Sequence, residues 1–375
     1  MPNSLRVLHL ANVMLGSPYT GLPLSLCRER YDRFPEVFDS VFSYIEAEKI
    51  DLVLVAGNLY GRYLTSDDAA RLIRKLSEAP CRFVIAPGDQ DPYAPDSLYA
   101  SGRLPKNVSV FAGEALERID FDDLGASVYG WAILGQRSSF KPLAGMSLED
   151  PDRINLVTGC CDIGGRTLFA HVSTDELASF GADYAAFSHG SSTQVRTAGK
   201  TKYCHASFLE GRSFEELGVG GFRRVDIYKT KKGTEHTISF VPASRHRYET
   251  LTLDITGATE MNEVVEELAR VISKRRYGSD TSLRVILEGE IHPAITLHLR
   301  PGEEQHFSLY HLDIVDRTFP TLNAEAFERD MSVRGELYRT LLPRLNTQNL
   351  ADRIAVAQAL RAGLAALESR DITLL

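Results

Sequence analysis

The chain has 375 residues, 43% of them hydrophobic and 25% charged, with 42 basic against 50 acidic side chains and a formal net charge of −8. That length is too great for one ordinary core and predicts two domains with a helical tail. The acidic balance argues against a protein that coats nucleic acid non-specifically, and no apolar run reaches the ~20 residues of a membrane span. Five cysteines (Cys27, Cys81, Cys160, Cys161, Cys204) are odd in number, irregularly spaced and without a CxxC pair. Reduced thiols in a cytoplasm fit that usage better than a disulfide frame. The N-terminus enters a strand pattern almost at once, so no secretory leader is expected.

In chain order, "LRVLHLAN" (5–12) reads as a buried strand. "PEVFDSVFSYIEAEKI" (35–50) places Val37, Phe38, Val41, Phe42 and Ile45 on one helical face. "DLVLVAGN" (51–58) is a second buried strand. "SDDAARLIRKLSEA" (66–79) is a helix opened by a capping serine and two acids. "CRFVIAPGD" (81–89) is a third strand, so the order predicts a mainly parallel sheet with helices on its faces. Short strands follow at 108–111, 126–132, 166–171, 183–189, 202–207, 223–228 and 237–242, enough for a second sheet packed on the first. The basic stretches 222–233 and 273–278 read as solvated strand ends and a helix C-terminus. A boundary is expected near 242–249. Beyond it, strands at 250–256 and 282–291 flank an amphipathic helix that starts near Thr259 and stops by Gly278. Residues 323–370 read as helical, with Leu350, Ile354, Ala357, Leu360, Leu364 and Leu367 in a stripe expected to be buried at home.

In an open α/β sheet, ligands bind at the carboxyl ends of the strands. Polar residues recur there: Asn12 and Met14, Asn58, Asp89 with Gln90 and Asp91, His171, then His189 and Ser191. Singly, each has a structural explanation, because Asn and Asp after strands are common turn residues. Together, the order "LHLANVMLGS…DLVLVAGNLY…FVIAPGDQDP…FAHVS…DYAAFSHGSSTQ" resembles the calcineurin-like metallophosphoesterases, in their SbcD/YhaO-type DNA repair exonuclease branch. "YCHASFLEGRSFEELGVGGFRRVDI" (203–227) is similar to the segment closing that family's nuclease domain, and 246–320 to its small capping domain. The resemblance implies a four-layer α/β/β/α sandwich over 1–245, a small α+β cap over 246–320 and C-terminal helices over 321–375.

For chemistry the chain departs from the family. Where the family has Asp-x-His, Gly-Asp, Gly-Asn-His-Asp and Gly-His-x-His, this chain has Asn12 and Met14, Asn58, Gly88-Asp89-Gln90-Asp91, and His189 with Ser191. Only Asp91, His171 and His189 match. The resemblance assigns Asn12, Met14, Asn58 and Ser191 to a first metal, and none of them is a carboxylate or an imidazole. Two cations held ~3.5–4 Å apart need anionic oxygens between them, so that site is expected to be empty. The resemblance assigns Asn58, Asp89, His171 and His189 to a second metal. Two imidazoles, a carboxylate and an amide could hold one Zn²⁺ or Mn²⁺, although no metal at all is the leading expectation. Gln90 stands where the family has its catalytic histidine, and an amide does not exchange a proton near pH 7.

Two functions stay open at this stage. One is a catalytically degenerate homologue that binds or scaffolds, for example DNA ends or an SbcC-like coiled-coil ATPase docked on the C-terminal helices, with a homodimer compatible. The other is a hydrolase working through a single metal with Asp89, Asp91, His171 and His189.

Overall fold

A computed structural model describes residues 4–135, 139–164, 170–188, 193–291, 297, 307–321, 329–345 and 347–367. The chain divides into two compact units, Met1–Arg245 and His246–Leu375.

The first unit is built on a parallel sheet of β1 (Ser4–Leu10), β2 (Leu52–Val55), β3 (Arg82–Ile85) and β4 (Val108–Val110), in that order. The period of two along these strands sorts their side chains to opposite faces. Leu8, Leu10, Val53, Val55, Phe83 and Ile85 pack with Phe34, Phe38, Val41 and Ile45 of α1 (Leu24–Ala47) and with Leu72 and Leu76 of α2 (Ser66–Glu78). Leu5, Val7, Leu52, Leu54 and Val84 face the other way. There they meet Ala126 and Val128 of β6 (Ala126–Gly130), Ile154 and Leu156 of β7 (Ile154–Ile163), and Tyr184 and Ala186 of β9 (Tyr184–Ser188).

Those strands form a second sheet. With β5 (Glu117–Phe121), β8 (Ala170–Val172), β10 (Arg196–Ala198) and β11 (Thr201–His205), its order is β10-β11-β9-β7-β6-β5, and β8 pairs with β7 off that path. On its far face Val157, Cys161, Ala185 and Tyr203 pack against Leu177 and Phe180 of α3 (Thr174–Phe180). Layer by layer this is helices, sheet, sheet, helix: the four-layer α/β/β/α sandwich expected from the resemblance. Each fully buried leucine or phenylalanine in these layers contributes about 1.5–3 kcal/mol. β12 (Gly218–Thr230) lies antiparallel to β1, and β13 (Gly233–Asp254) lies beside β12.

The second unit takes up the C-terminal part of β13. In parallel register, β14 (Thr281–Glu288) pairs with it and β16 (His311–Asp316) pairs with β14. The helix α4 (Met261–Arg275) buries Val264, Leu268 and Ile272 against Leu251, Leu253, Leu283, Val285 and Leu287. The short β15 (Glu290–Ile291) and β17 (Phe319–Pro320) pair in parallel. Two helices end the described chain, α5 (Val333–Leu345) and α6 (Leu350–Leu367). The stripe on α6 is used within this unit, where Leu360 and Leu364 pack with Tyr338 of α5 and Ala357 is buried. Leu350 and Leu367, at its ends, stay exposed.

Several expectations are corrected. Helix α1 starts eleven residues before Pro35, at Leu24, because Cys27, Tyr31 and Phe34 continue the apolar spacing upstream. Pro35 sits inside it. The cap of α2 is Thr65, not Ser66, and Thr65 forms a capping box with Asp68. The strand expected over 166–171 is seen at Ala170–Val172, and 165–169 lie outside the described residues. Strands expected at 237–242 and 250–256 are one continuous strand, β13. The central strand β7 was not expected, since Asn155, Thr158 and Gly159 interrupt its apolar run.

His9 on β1 is fully buried. Its Nδ1 lies 2.9 Å from the Tyr184 hydroxyl and its Nε2 3.1 Å from the Phe187 carbonyl oxygen. A carbonyl only accepts, so the ring carries its proton on Nε2. Burial pushes its pKa down to about 3. The unfolded chain therefore takes up a proton near pH 6.5 that the folded chain refuses, and this stabilising term is lost as the pH falls below 6.5. Going from pH 7 to pH 5, the wild type is expected to lose about 2 kcal/mol relative to His9→Gln, whose side chain does not titrate. Urea denaturation at the two pH values measures the difference, and equal slopes would refute it.

Candidate functional site

The strand-end residues of the first sheet come together. Asn12 follows β1, and its backbone N–H donates to the Gly57 carbonyl at 3.0 Å. The Met14 N–H donates to the Asn58 carbonyl at 2.9 Å. Asn12, Met14 and Asn58 all hold left-handed backbone, with φ of 48°, 57° and 59°. Such angles are strained for a non-glycine residue and cluster where side chains are aimed for a purpose. Glycine is required beside them. A Cβ on Gly88 would lie 2.3 Å from the Asn58 Oδ1, and Gly57 has φ of 119°.

The side chains then bond one another. The buried Asn58 donates from Nδ2 to Asn12 Oδ1 and to Asp89 Oδ1, both at 3.0 Å. Gln90 donates from its backbone N–H to Asn58 Oδ1 at 3.0 Å, and from Nε2 to Asp89 Oδ2 at 2.7 Å. Both carboxylate oxygens of Asp89 thus accept from amides.

Asp91 has a different task. It is 1% exposed. Its carboxylate accepts from the backbone N–H groups of Asn58 (2.9 Å), Leu59 (2.6 Å) and Gly88 (2.7 Å). The Tyr99 hydroxyl donates to it at 2.5 Å. One side chain therefore ties the loop after β2 to the loop after β3. Burial raises its pKa to about 6, against the lowering effect of these bonds.

The loop after β1 is held from beneath. Arg212 donates to the carbonyls of Ser17 (2.8 Å) and Val13 (3.1 Å), and its guanidinium stacks on Phe34 and Tyr19. Glu210, 1% exposed, accepts from Tyr19 and from Arg30 and Ser244. Cys160 Sγ lies 4.0 Å from Asp89 Oδ1, and burial, with the Asp89 charge second, pushes its thiol up to about 12. A thiol held that high is not a nucleophile near pH 7.

Of the remaining expected residues, His171 lies on β8, opposite Asp162 of β7, and its backbone N–H donates to the Phe140 carbonyl at 2.8 Å. His189 and Ser191 lie outside the described residues. Among the described residues, no three His, Cys, Asp or Glu side chains converge as a metal site requires. Sequence reasoning did not find Tyr99, Glu210 or Arg212. Only the segment similarity over 203–227 pointed towards the last two.

No protein-family model matches the chain. No curated protein matches it either. Solved structures do. One is that of TT1561 of Thermus thermophilus, at 15% identity and a TM-score of 0.37, over 62% of this chain and 98% of that one. Another is a double mutant of Vps29 from Entamoeba histolytica, at 10% identity and a TM-score of 0.27, over 63% and 99%. A third is vacuolar protein sorting 29 from Cryptosporidium parvum, at 11% identity and a TM-score of 0.27, over 64% and 98%. Among the described residues no helix is long and apolar enough to cross a membrane.

Proposed function

We propose that this chain is a catalytically degenerate metallophosphoesterase-type protein that acts by binding or scaffolding. One observation carries the reading: the Asn58 amide donates to both Asn12 and Asp89. A metal cluster needs lone pairs at these positions, converging on a cation. Here a neutral amide donates an N–H to each of the two oxygens, in the place where a cation would need their lone pairs. Gln90 completes the pattern from the other side of Asp89. It brings an amide where general acid chemistry needs an imidazole.

The reading extends to a cytoplasmic role in holding DNA ends or an SbcC-like ATPase, as a monomer or a homodimer, supported by the similarity of 203–227 and 246–320 to the exonuclease branch. Metal content and nuclease activity, measured on one preparation, test it. The purified chain is expected to carry far less than one Mn or Zn per molecule and to leave linear DNA intact in Mn²⁺. Cleavage abolished by His189→Ala would overturn it and install the single-metal hydrolase with Asp89, Asp91, His171 and His189.

A further inference from the structure

The second sheet of the first unit ends at β5, which among the described residues pairs with β6 alone. The ladder on the far side of β6 fixes which backbone groups of β5 face outward. The Ile154 N–H donates to the Gly125 carbonyl at 3.0 Å in the parallel register of β6 and β7. Ser127 and Tyr129 therefore turn their backbone groups to β7, and Ala126, Val128 and Gly130 turn theirs to β5. The Ala132 N–H follows the same alternation and donates to the Gly113 carbonyl, just before β5, at 2.7 Å. The antiparallel partners of Ala126, Val128 and Gly130 are Phe121, Ile119 and Glu117. The N–H and C=O groups of Arg118 and Asp120 are thus left pointing away from the sheet. Among the described residues nothing bonds them. Such an edge is a template for another strand.

The side chains along this edge match a copy of themselves. Arg118 and Asp120 stand two residues apart on one face, with opposite charge, and pair within the chain at 2.9 Å. A second β5, turned antiparallel about Ile119, sets Arg118 opposite Asp120 of the second copy, and Asp120 opposite its Arg118. In that register each such pair is hydrogen-bonded, so every outward N–H and C=O of the two residues is used. On the inner face Ile119 meets its own copy across the axis, where it is now only half-buried at the rim of the core. Glu117 comes opposite Phe121, and its carboxylate is held at home by the Ala112 and Gly113 N–H groups at 3.0 and 2.6 Å. Other edges lack this match. β4 and β10 have three residues each, and β16 carries two acids, Asp313 and Asp316, without a lysine or arginine.

We propose that two copies of this chain pair through β5, joining their second sheets into one across a two-fold axis. The contact is isologous and stops at two, because each chain has one such edge to give. A strand from another protein would need a base and an acid in the same spacing, and this chain carries that complement itself. The net charge of −8 on each copy acts over longer distances and is screened within ~8 Å at physiological ionic strength. The inference does not rest on the strand-end site, and a monomeric result would leave the binding or scaffolding reading standing.

Sedimentation equilibrium of the full chain at physiological ionic strength tests it. The wild type is expected to form a dimer whose share grows with concentration, and amide hydrogen exchange at Arg118 and Asp120 should slow in step. Arg118→Asp and Asp120→Arg each set like charges opposite one another and should weaken the dimer about tenfold or more. An equimolar mixture of the two variants restores opposite charges at both positions, so it should dimerise where neither variant does alone. If either variant loses the wild-type melting temperature, Asp120→Pro takes its place as the disrupting change, since it removes an outward N–H and spares the ladder to β6. A wild type that stays monomeric, a dimer indifferent to the disrupting changes, or a mixture of folded variants that stays monomeric would each overturn the proposal.

Discussion

Asp91→Ala is expected to cost about 3–5 kcal/mol of stability, the largest effect of any single change at the strand ends. The carboxylate accepts four backbone N–H groups, those of Asn58, Leu59, Tyr60 and Gly88, and the Tyr99 hydroxyl in a place that water does not reach. Truncation leaves those donors buried and unpaired, at about 1–3 kcal/mol each before relaxation. Urea denaturation measures the loss, and a change under 1 kcal/mol would show that the loops are held by something else. Asp91→Asn keeps one acceptor oxygen and should fall between the two. Titration of the group has a defined sign. Its folded pKa is raised to about 6, above the ordinary 3.8, so the folded state takes up the proton first as the pH falls. The Asp91 term is therefore greatest below pH 3.8 and is lost as the pH rises through 6, opposite in sign to the His9 term.

Asn58→Asp is expected to make the stability of the site depend on a divalent metal ion. The amide that now bridges Asn12 and Asp89 at 3.0 Å would be replaced by a carboxylate facing the Asp89 carboxylate. Without metal, two like charges at that separation and one lost donor should lower stability by about 2 kcal/mol. A divalent cation supplies the missing positive charge, so Mn²⁺ or Zn²⁺ should raise the melting temperature of the variant and leave the wild type unchanged. A wild type that responds as strongly as Asn58→Asp would mean that the native residues already bind the ion. The combined change Asn12→Asp, Met14→His, Asn58→Asp and Ser191→His should deepen the response, because it returns carboxylates and imidazoles to every first-metal position that the resemblance assigns. The left-handed backbone already present at Asn12, Met14 and Asn58 favours this outcome.

How much of this was legible beforehand follows from the range of the forces involved. The first sheet and its helices could be read because their signals are local. A period of two sends Leu52 and Leu54 to one face and Val53 and Val55 to the other, and a period near 3.6 gathers Phe34, Phe38, Val41 and Ile45. The polar residues at the strand ends could be located for the same reason, because a strand's end fixes where the next side chains must stand. The replaced ligand types were also visible in the sequence, since Asn58 and Gln90 are amides wherever the fold puts them.

Tertiary structure decided the rest. That Asn58 donates to Asn12 and Asp89 at once depends on three loops separated by 46 and 31 residues. That Asp91 ties loops together, rather than capping its own turn, depends on the N–H groups of Asn58 and Leu59, 33 and 32 residues before it. Strand β7 stays hidden along the chain because polar residues break its apolar run, and only its place between β6 and β9 explains its burial. Sequence fixes what each group can do, through propensity, charge and donor count. Contacts between segments far apart in the chain settle which groups meet, and so whether an amide at the head of a sheet is a lone turn residue or joins three separate loops.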